Sequence, residues 1–220
     1  MSKQYRLVVF DWEGTLGDSL GQILNCVSKE ARRLQFGEID EALARRSVSL
    51  GLVHACKKMF PHLDSSQLKN LLDAVQYALM SRNAEERLFT GAKELVQKLH
   101  ARGVGLAIAT NKGAQSLRRS LYSTGLDAYF KVTRAAGQAP PKPCPQMLED
   151  ILKEYGLSVE EAVMIGDSEG DIRMAQSIGM DALGVHFYDQ EAGGQALLNA
   201  GAIKVFKDYQ SIADFLDGLR

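Results

Sequence analysis

Four short apolar runs, each ending in a cluster of polar residues, constrain this chain more than any other feature of it. They are Arg6–Phe10, Val104–Ala109, Ala162–Ile165 and Ala182–Val185. Runs of this length, apolar throughout and bounded by turn or polar residues, fit strands buried on both faces, as in a parallel sheet. Helix-length stretches lie between the later ones. Ala92, Leu95, Val96 and Leu99 recur at spacings of three and four, as do Met147, Leu148, Ile151, Leu152 and Tyr155. Each stretch ends in a glycine, Gly103 or Gly156, where a left-handed helix terminus is expected. Strand-helix-strand repetition requires right-handed crossovers. The fold class is therefore α/β, with a Rossmann-like doubly wound parallel sheet.

One region breaks the rhythm. Residues 17–89 hold no convincing strand; Ile23, Val27 and Leu34, then Leu68, Leu71, Leu72, Val75 and Leu79, read as helices. The pattern predicts an inserted α-helical domain over 17–89, with the α/β core formed by 1–16 and 90–220. The alternative is that these helices pack directly onto the sheet.

Composition removes several function classes. With 45% hydrophobic and 24% charged residues in 220, the chain is of ordinary globular make-up. Its net charge of −1 offers no basic field for nucleic acid. No apolar run approaches the ~20 residues of a membrane span, and none suits a signal peptide. Cys26, Cys56 and Cys144 are odd in number and widely spaced, and read as buried or free thiols. The expectation is a soluble cytoplasmic protein, monomer or homodimer, with no nucleic-acid or membrane partner.

In open α/β sheets, ligands sit beyond the carboxyl ends of the strands. Asp11-Trp12-Glu13-Gly14-Thr15-Leu16 follows the first run, Thr110-Asn111-Lys112 the second, and Gly166-Asp167-Ser168-Glu169-Gly170-Asp171 spans the end of the third. Pro140-Pro141-Lys142-Pro143 sets a lysine on a stiff loop before the Met147 helix. Taken singly, each has a bland reading: an Asp ending a turn, Asp167-Ser168 as a helix N-cap, a solvated lysine. Together they place three carboxylates on one rim, where they repel unless a cation or proton joins them. Oxygen ligands without His or Cys point to Mg²⁺.

In order, spacing and strand-end placement, Asp11-x-x-Gly-Thr-Leu, Thr110, Lys142 and Gly166-Asp167-Ser-x-x-Asp171 resemble the haloacid dehalogenase superfamily. The helical insert resembles that superfamily's cap of the first type. Leu88-Phe89-Thr90-Gly91, Ala107–Lys112 and Gly201-Ala202 are similar to its phosphoglycolate phosphatase branch. The resemblance implies a Mg²⁺-dependent hydrolase acting on a small phosphorylated metabolite through an aspartyl phosphate. Asp11 would be the nucleophile, Glu13 the acid and base, and Thr110 and Lys142 catalytic partners. Gly14, Thr15, Thr110, Asn111 and Lys142 would bind the phosphoryl group. Asp11 and Asp167, with the Glu13 backbone carbonyl, would hold Mg²⁺, and Asp171 would support Lys142 or a metal-bound water. A phosphomutase of the same fold, a metal-free dehalogenase and a non-catalytic phosphometabolite binder are the other readings.

The chain departs from the family pattern at two places. Glu13 stands where the family has Asp, with nearly the same proton affinity but a longer reach. Ser47–Leu52, beside Arg45 and Arg46, stands where the branch has a glycine loop. That stretch reads either as a contact to the leaving group or as a plain helix connection.

Overall fold

The computed structural model describes residues 4–40, 43–44, 52–80, 86–187 and 191–218. Arg45, Arg46 and Ser47–Gly51 lie outside the described residues. Six strands form one parallel sheet: β1 (Leu7–Phe10), β2 (Gly105–Gly113), β3 (Val132–Ala136), β4 (Ala162–Gly166), β5 (Asp181–Val185) and β6 (Lys204–Phe206). Their spatial order is β3-β2-β1-β4-β5-β6. The chain steps outward from β1 to β3, then returns to the other side of β1, so the order reverses between β1 and β4. That reversal opens a crevice at the strands' carboxyl ends.

Alternation along the strands builds two cores. Val8, Phe10, Leu106, Ile108, Val163 and Ile165 enter one. Their neighbours Leu7, Val9, Ala107, Ala109, Ala162 and Met164 enter the other. Both faces are thus apolar, which is why the central strands read as unbroken hydrophobic runs. Helices α4 (Ala92–Ala101), α5 (Ala114–Thr124) and α9 (Tyr209–Gly218) cover the first face. Helices α6 (Gln146–Tyr155) and α7 (Glu169–Gln176) cover the second, and Leu197 of α8 (Glu191–Asn199) joins them. Gly156 caps α6 in the left-handed conformation. Gly103 also has a positive φ, one residue beyond the Arg102 cap of α4.

Two strands were not expected from the sequence, and both lie at the sheet's edges. β3 carries Arg134, which pairs with Glu154 at 2.7 Å, and β6 is only three residues long. An edge strand is buried on fewer sides, so it loses the apolar run that marks a central one.

The chain divides into two compact units, Met1–Asp18 with Leu88–Arg220, and Ser19–Arg87. The second unit is helical among its described residues: α1 (Ser19–Arg33), α2 (Leu52–Met59) and α3 (Ser65–Met80). It has its own core, in which Val27, Ala31, Cys56, Phe60, Leu71 and Val75 are buried together without a strand residue. Met59 packs against that core, whereas Met80 is 77% exposed. The three cysteines are free thiols, Cys26 and Cys56 buried. No described helix is long and apolar enough to cross a membrane.

Ile165 is fully buried on the strand beside the reversal. Ile165→Ala should destabilise the α/β unit by about 2–5 kcal/mol. Urea unfolding followed by circular dichroism measures it; a shift below about 1 kcal/mol would contradict this account of the core.

Candidate active site

Every polar cluster of the rim follows a strand or precedes a helix of the α/β unit. Asp11 leaves β1, Thr110, Asn111 and Lys112 form the end of β2, and Asp167 leaves β4. Asp171 lies in the first turn of α7. Lys142 comes from the loop before α6, and its backbone N–H donates to Asn111 Oδ1 at 3.0 Å. That bond ties the proline-rich loop to the end of β2.

Lys142 is the hub. Its ammonium lies 2.6 Å from Asp11 Oδ1 and donates to Asp171 Oδ1 at 2.5 Å. The side chain is only 4% exposed. Burial alone would drive a lysine toward its neutral form, but Asp11 and Asp171 overcome it and raise the Lys142 pKa. Asp171 also caps its own helix: Oδ2 accepts from Ser168 N–H at 3.0 Å and from Ser168 Oγ at 2.7 Å. Ser168 is thus the N-cap of α7, and Asp171 is at once its capping-box residue and the partner of the lysine. Gly166 makes room for this, since a Cβ there would lie 2.4 Å from the Asp171 carboxyl carbon.

Asp167 is positioned by the turn after β1. Gly14 has φ +74°, and a Cβ at that position would fall 2.1 Å from Asp167 Oδ2. Only glycine permits both the backbone and the approach. The Gly14 and Thr15 N–H groups, expected to face an anion, donate instead within the turn, to Gly17 O at 2.9 Å and Trp12 O at 3.3 Å. Thr15 Oγ lies 3.3 Å from Asp167 Oδ1 as donor. The Thr15 carbonyl accepts from the Tyr209 hydroxyl at 2.5 Å. Trp12 is fully buried behind the loop, against Gly17.

Asp11, Asp167 and Asp171 each offer a carboxylate oxygen, all within 4.8 Å of one another, a set able to hold a divalent cation. Their electrostatics fit one. Burial, then the charges of Asp11 and Asp171, pushes the Asp167 pKa up to about 7. Burial likewise raises Asp11, against the opposing pull of Lys142. Both Asp171 oxygens are already engaged by Lys142 and Ser168, which leaves Asp11 and Asp167 as the carboxylates able to face a cation. Asp11, Glu13, Thr110, Asn111 and Lys142 line one pocket of ≈ 250 Å³, together with Lys112 and Ser168. The Glu13 carboxylate is paired there with the Lys112 ammonium. Thr110 is buried and its hydroxyl accepts from the Lys112 N–H at 3.2 Å.

Residues 8–185 match the model of the haloacid dehalogenase-like hydrolases. The chain belongs to this family. It is 28% identical to a phosphoglycolate phosphatase of Rhodospirillum rubrum over 96% of this chain and 90% of that protein. It is 30% identical to the probable phosphatase IndB of Dickeya dadantii over 81% and 80%. Among solved structures it superposes on a Thermotoga maritima protein provisionally assigned as a beta-phosphoglucomutase, with TM-score 0.71 and 22% identity over 98% of this chain and all of that one. A haloacid dehalogenase-superfamily hydrolase of Geobacter sulfurreducens gives TM-score 0.65 at 20% identity over 98% and 100%.

For a haloacid dehalogenase-like hydrolase, this site has two features that sequence reasoning did not single out. Lys112 stood in a quoted motif, but nothing in its position announced a pairing with Glu13. Tyr209 lies beyond the matched family region and 194 residues from its Thr15 partner, so no local pattern could signal it.

A carboxylate whose folded pKa is raised destabilises the fold in its charged form, and the cost shrinks as pH falls from the folded value toward the unfolded one. Asp167→Asn should therefore raise the melting temperature of the metal-free protein at pH 8. The gain should diminish between pH 7 and pH 4, as wild-type Asp167 takes up its proton. Thermal melts in EDTA across that range read the outcome; a lower melting temperature at pH 8 would contradict it.

Proposed function

We propose that the protein is a Mg²⁺-dependent phosphatase that cleaves a small phosphomonoester through an aspartyl phosphate on Asp11. One observation carries the reading. A buried carboxylate, Asp11, lines a pocket with Thr110, Asn111 and Lys142, while a second carboxylate, Asp167, stands beside it with its pKa raised by burial and then by the charges of Asp11 and Asp171. The phosphatase relatives narrow the chemistry to phosphate esters, and the phosphoglycolate phosphatase of Rhodospirillum rubrum suggests 2-phosphoglycolate. The helical unit would serve as the cap that selects the leaving group.

A phosphomonoester carries negative charge, so a carboxylate can attack it only where that charge is compensated. Mg²⁺ held by Asp11, Asp167 and the Glu13 carbonyl would supply electrostatic compensation for both. Lys142 supplies a fixed positive charge, kept in place by Asp171. The Thr110 hydroxyl and the Asn111 NH₂ group donate to phosphoryl oxygens. An Asp11 oxygen forms a bond to phosphorus as the ester P–O bond breaks, and the Glu13 carboxyl gives its proton to the departing oxygen. Glu13, now a carboxylate, takes a proton from water as that water attacks the phosphorus of the aspartyl phosphate. Inorganic phosphate leaves and Asp11 is regenerated.

Asp11→Asn keeps the side-chain size while removing the attacking charge. It should abolish phosphate release and leave the circular dichroism spectrum unchanged. EDTA should stop wild-type turnover of a panel of phosphate esters, and Mg²⁺ should restore it. Turnover indifferent to EDTA would overturn the metal-dependent mechanism, and an inert folded protein would favour a phosphometabolite binder.

Glu13 is longer than the family's Asp by one methylene, and a misplacement of about an ångström can cost ~10²-fold. Glu13→Asp should raise kcat by ~10-fold, and Glu13→Gln should abolish turnover. Equal rates for all three forms would remove position 13 from proton transfer.

A further inference from the structure

Two ammonium groups line the pocket, and they differ in what holds them. Lys142 is fixed between Asp11 and Asp171 and almost fully buried. Lys112 meets the Glu13 carboxylate, whose side chain is 38% exposed against 14% for the lysine. The lysine's root is anchored by its N–H on Thr110 Oγ and by its place at the end of β2. In this pair the lysine is the fixed member and the glutamate carboxylate the exposed one.

We propose that Lys112 recognises an anionic group on the leaving side of the ester, and that the Glu13 carboxylate competes with that group for the lysine. The proposal rests on the acid–base reading of Glu13. A group that protonates the leaving oxygen sits within hydrogen-bond distance of it, and Lys112 is within hydrogen-bond distance of the same group. Two such contacts place the ammonium within about 6 Å of the leaving oxygen. A carboxylate on the carbon next to that oxygen, as in a 2-phosphoryloxy acid, spans the gap; a neutral hydroxyl there forms a weaker bond.

The competition gives Glu13 a second duty. In the structure its carboxylate is turned to Lys112. An acidic substrate that takes over the lysine frees the Glu13 carboxyl for the leaving oxygen, whereas a neutral leaving group leaves the pair intact. The extra methylene that separates Glu13 from the family's Asp is what extends the carboxylate toward Lys112.

Binding measured without turnover tests this separately from catalysis. The probes are 2-phosphoglycolate and its neutral counterpart 2-hydroxyethyl phosphate, titrated calorimetrically with Mg²⁺ present into the Asp11→Asn protein. A charge-assisted contact of this kind gives a preference of about tenfold or more for the acidic ester. Adding Lys112→Met should collapse that preference to within twofold, and Lys112→Arg should restore part of it. Adding Glu13→Gln, which keeps the shape and removes the competing charge, should strengthen binding of the acidic ester more than of the neutral one. A purely structural pair would instead weaken both together. Equal losses for the two esters in Lys112→Met would overturn the proposal by making the lysine a phosphoryl contact. An unchanged preference in that variant, or weaker acidic-ester binding in Glu13→Gln, would overturn it as well. If the preference holds while wild-type protein releases no phosphate from either ester, the phosphatase reading fails and only the contact of Lys112 with the acidic group stands.

Discussion

The buried contact of Lys142 with Asp11 and Asp171 is the constraint on which the rest of the site depends. Two carboxylates within reach of each other in a desolvated crevice repel, and a third, Asp167, stands close by. A single ammonium between two of them turns repulsion into attraction, and both its partners hold it charged. Removing one member of a buried ion pair typically costs ~3–5 kcal/mol, because the remaining charge is left unpaired. The arrangement is thus fixed by stability as well as by chemistry. It still leaves one surplus negative charge, on Asp167, where burial and then the charges of Asp11 and Asp171 raise the pKa to about 7. A divalent cation held by Asp11 and Asp167 would satisfy that surplus.

Topology brings these groups together from distant parts of the chain. Asp11 and Asp167 leave adjacent strands, β1 and β4, which pair in register from Leu7 with Ala162 to Phe10 with Ile165. The sheet order reverses between those strands, so no crossover helix covers the gap above them. Small residues then set the distances. Gly14 and Gly166 sit where a Cβ would strike the carboxylates of Asp167 and Asp171. At the back of the loop, Tyr209 reaches from the last helix to the Thr15 carbonyl and packs its ring against Phe187, with centroids 5.0 Å apart. Phe187 in turn meets Phe89, with centroids 4.5 Å apart. An aromatic cluster of Phe89, Phe187 and Tyr209 therefore supports the turn that carries Gly14.

Much of this was legible in the sequence because burial on both faces leaves a direct trace. β1, β2, β4 and β5 are apolar runs, and each of the first three ends in residues of the pocket. β3 and β6 left no such trace, since an edge strand tolerates Arg134 or shrinks to three residues. Within the site, Asp11, Thr110 and Asp167 were readable because charge and hydroxyl groups at strand ends are conspicuous, Lys142 because prolines flank it, and Asp171 because it closely follows Asp167. Contacts between side chains were not readable. The turn's use of its own Gly14 and Thr15 N–H groups depends on loop geometry, and the Tyr209 hydroxyl joins residues 194 positions apart. Motif spacing specifies which groups arrive at the rim; packing decides which of them meet.

Glu13 shows that distinction at its sharpest. Read along the chain, it is an acid of the right type with one methylene too many. Within the fold, the extra length has a partner, because the Lys112 ammonium stands where the carboxylate ends. A longer acid in this loop is strained or displaced only if nothing receives it. Here a lysine rooted on β2 receives it, on the same rim as Asp11. The departure from the family residue is therefore one half of a pair whose other half lies 99 positions later in the chain. Under the proposed function, that contact would also give the pocket a means of sensing a negative charge on the incoming ester.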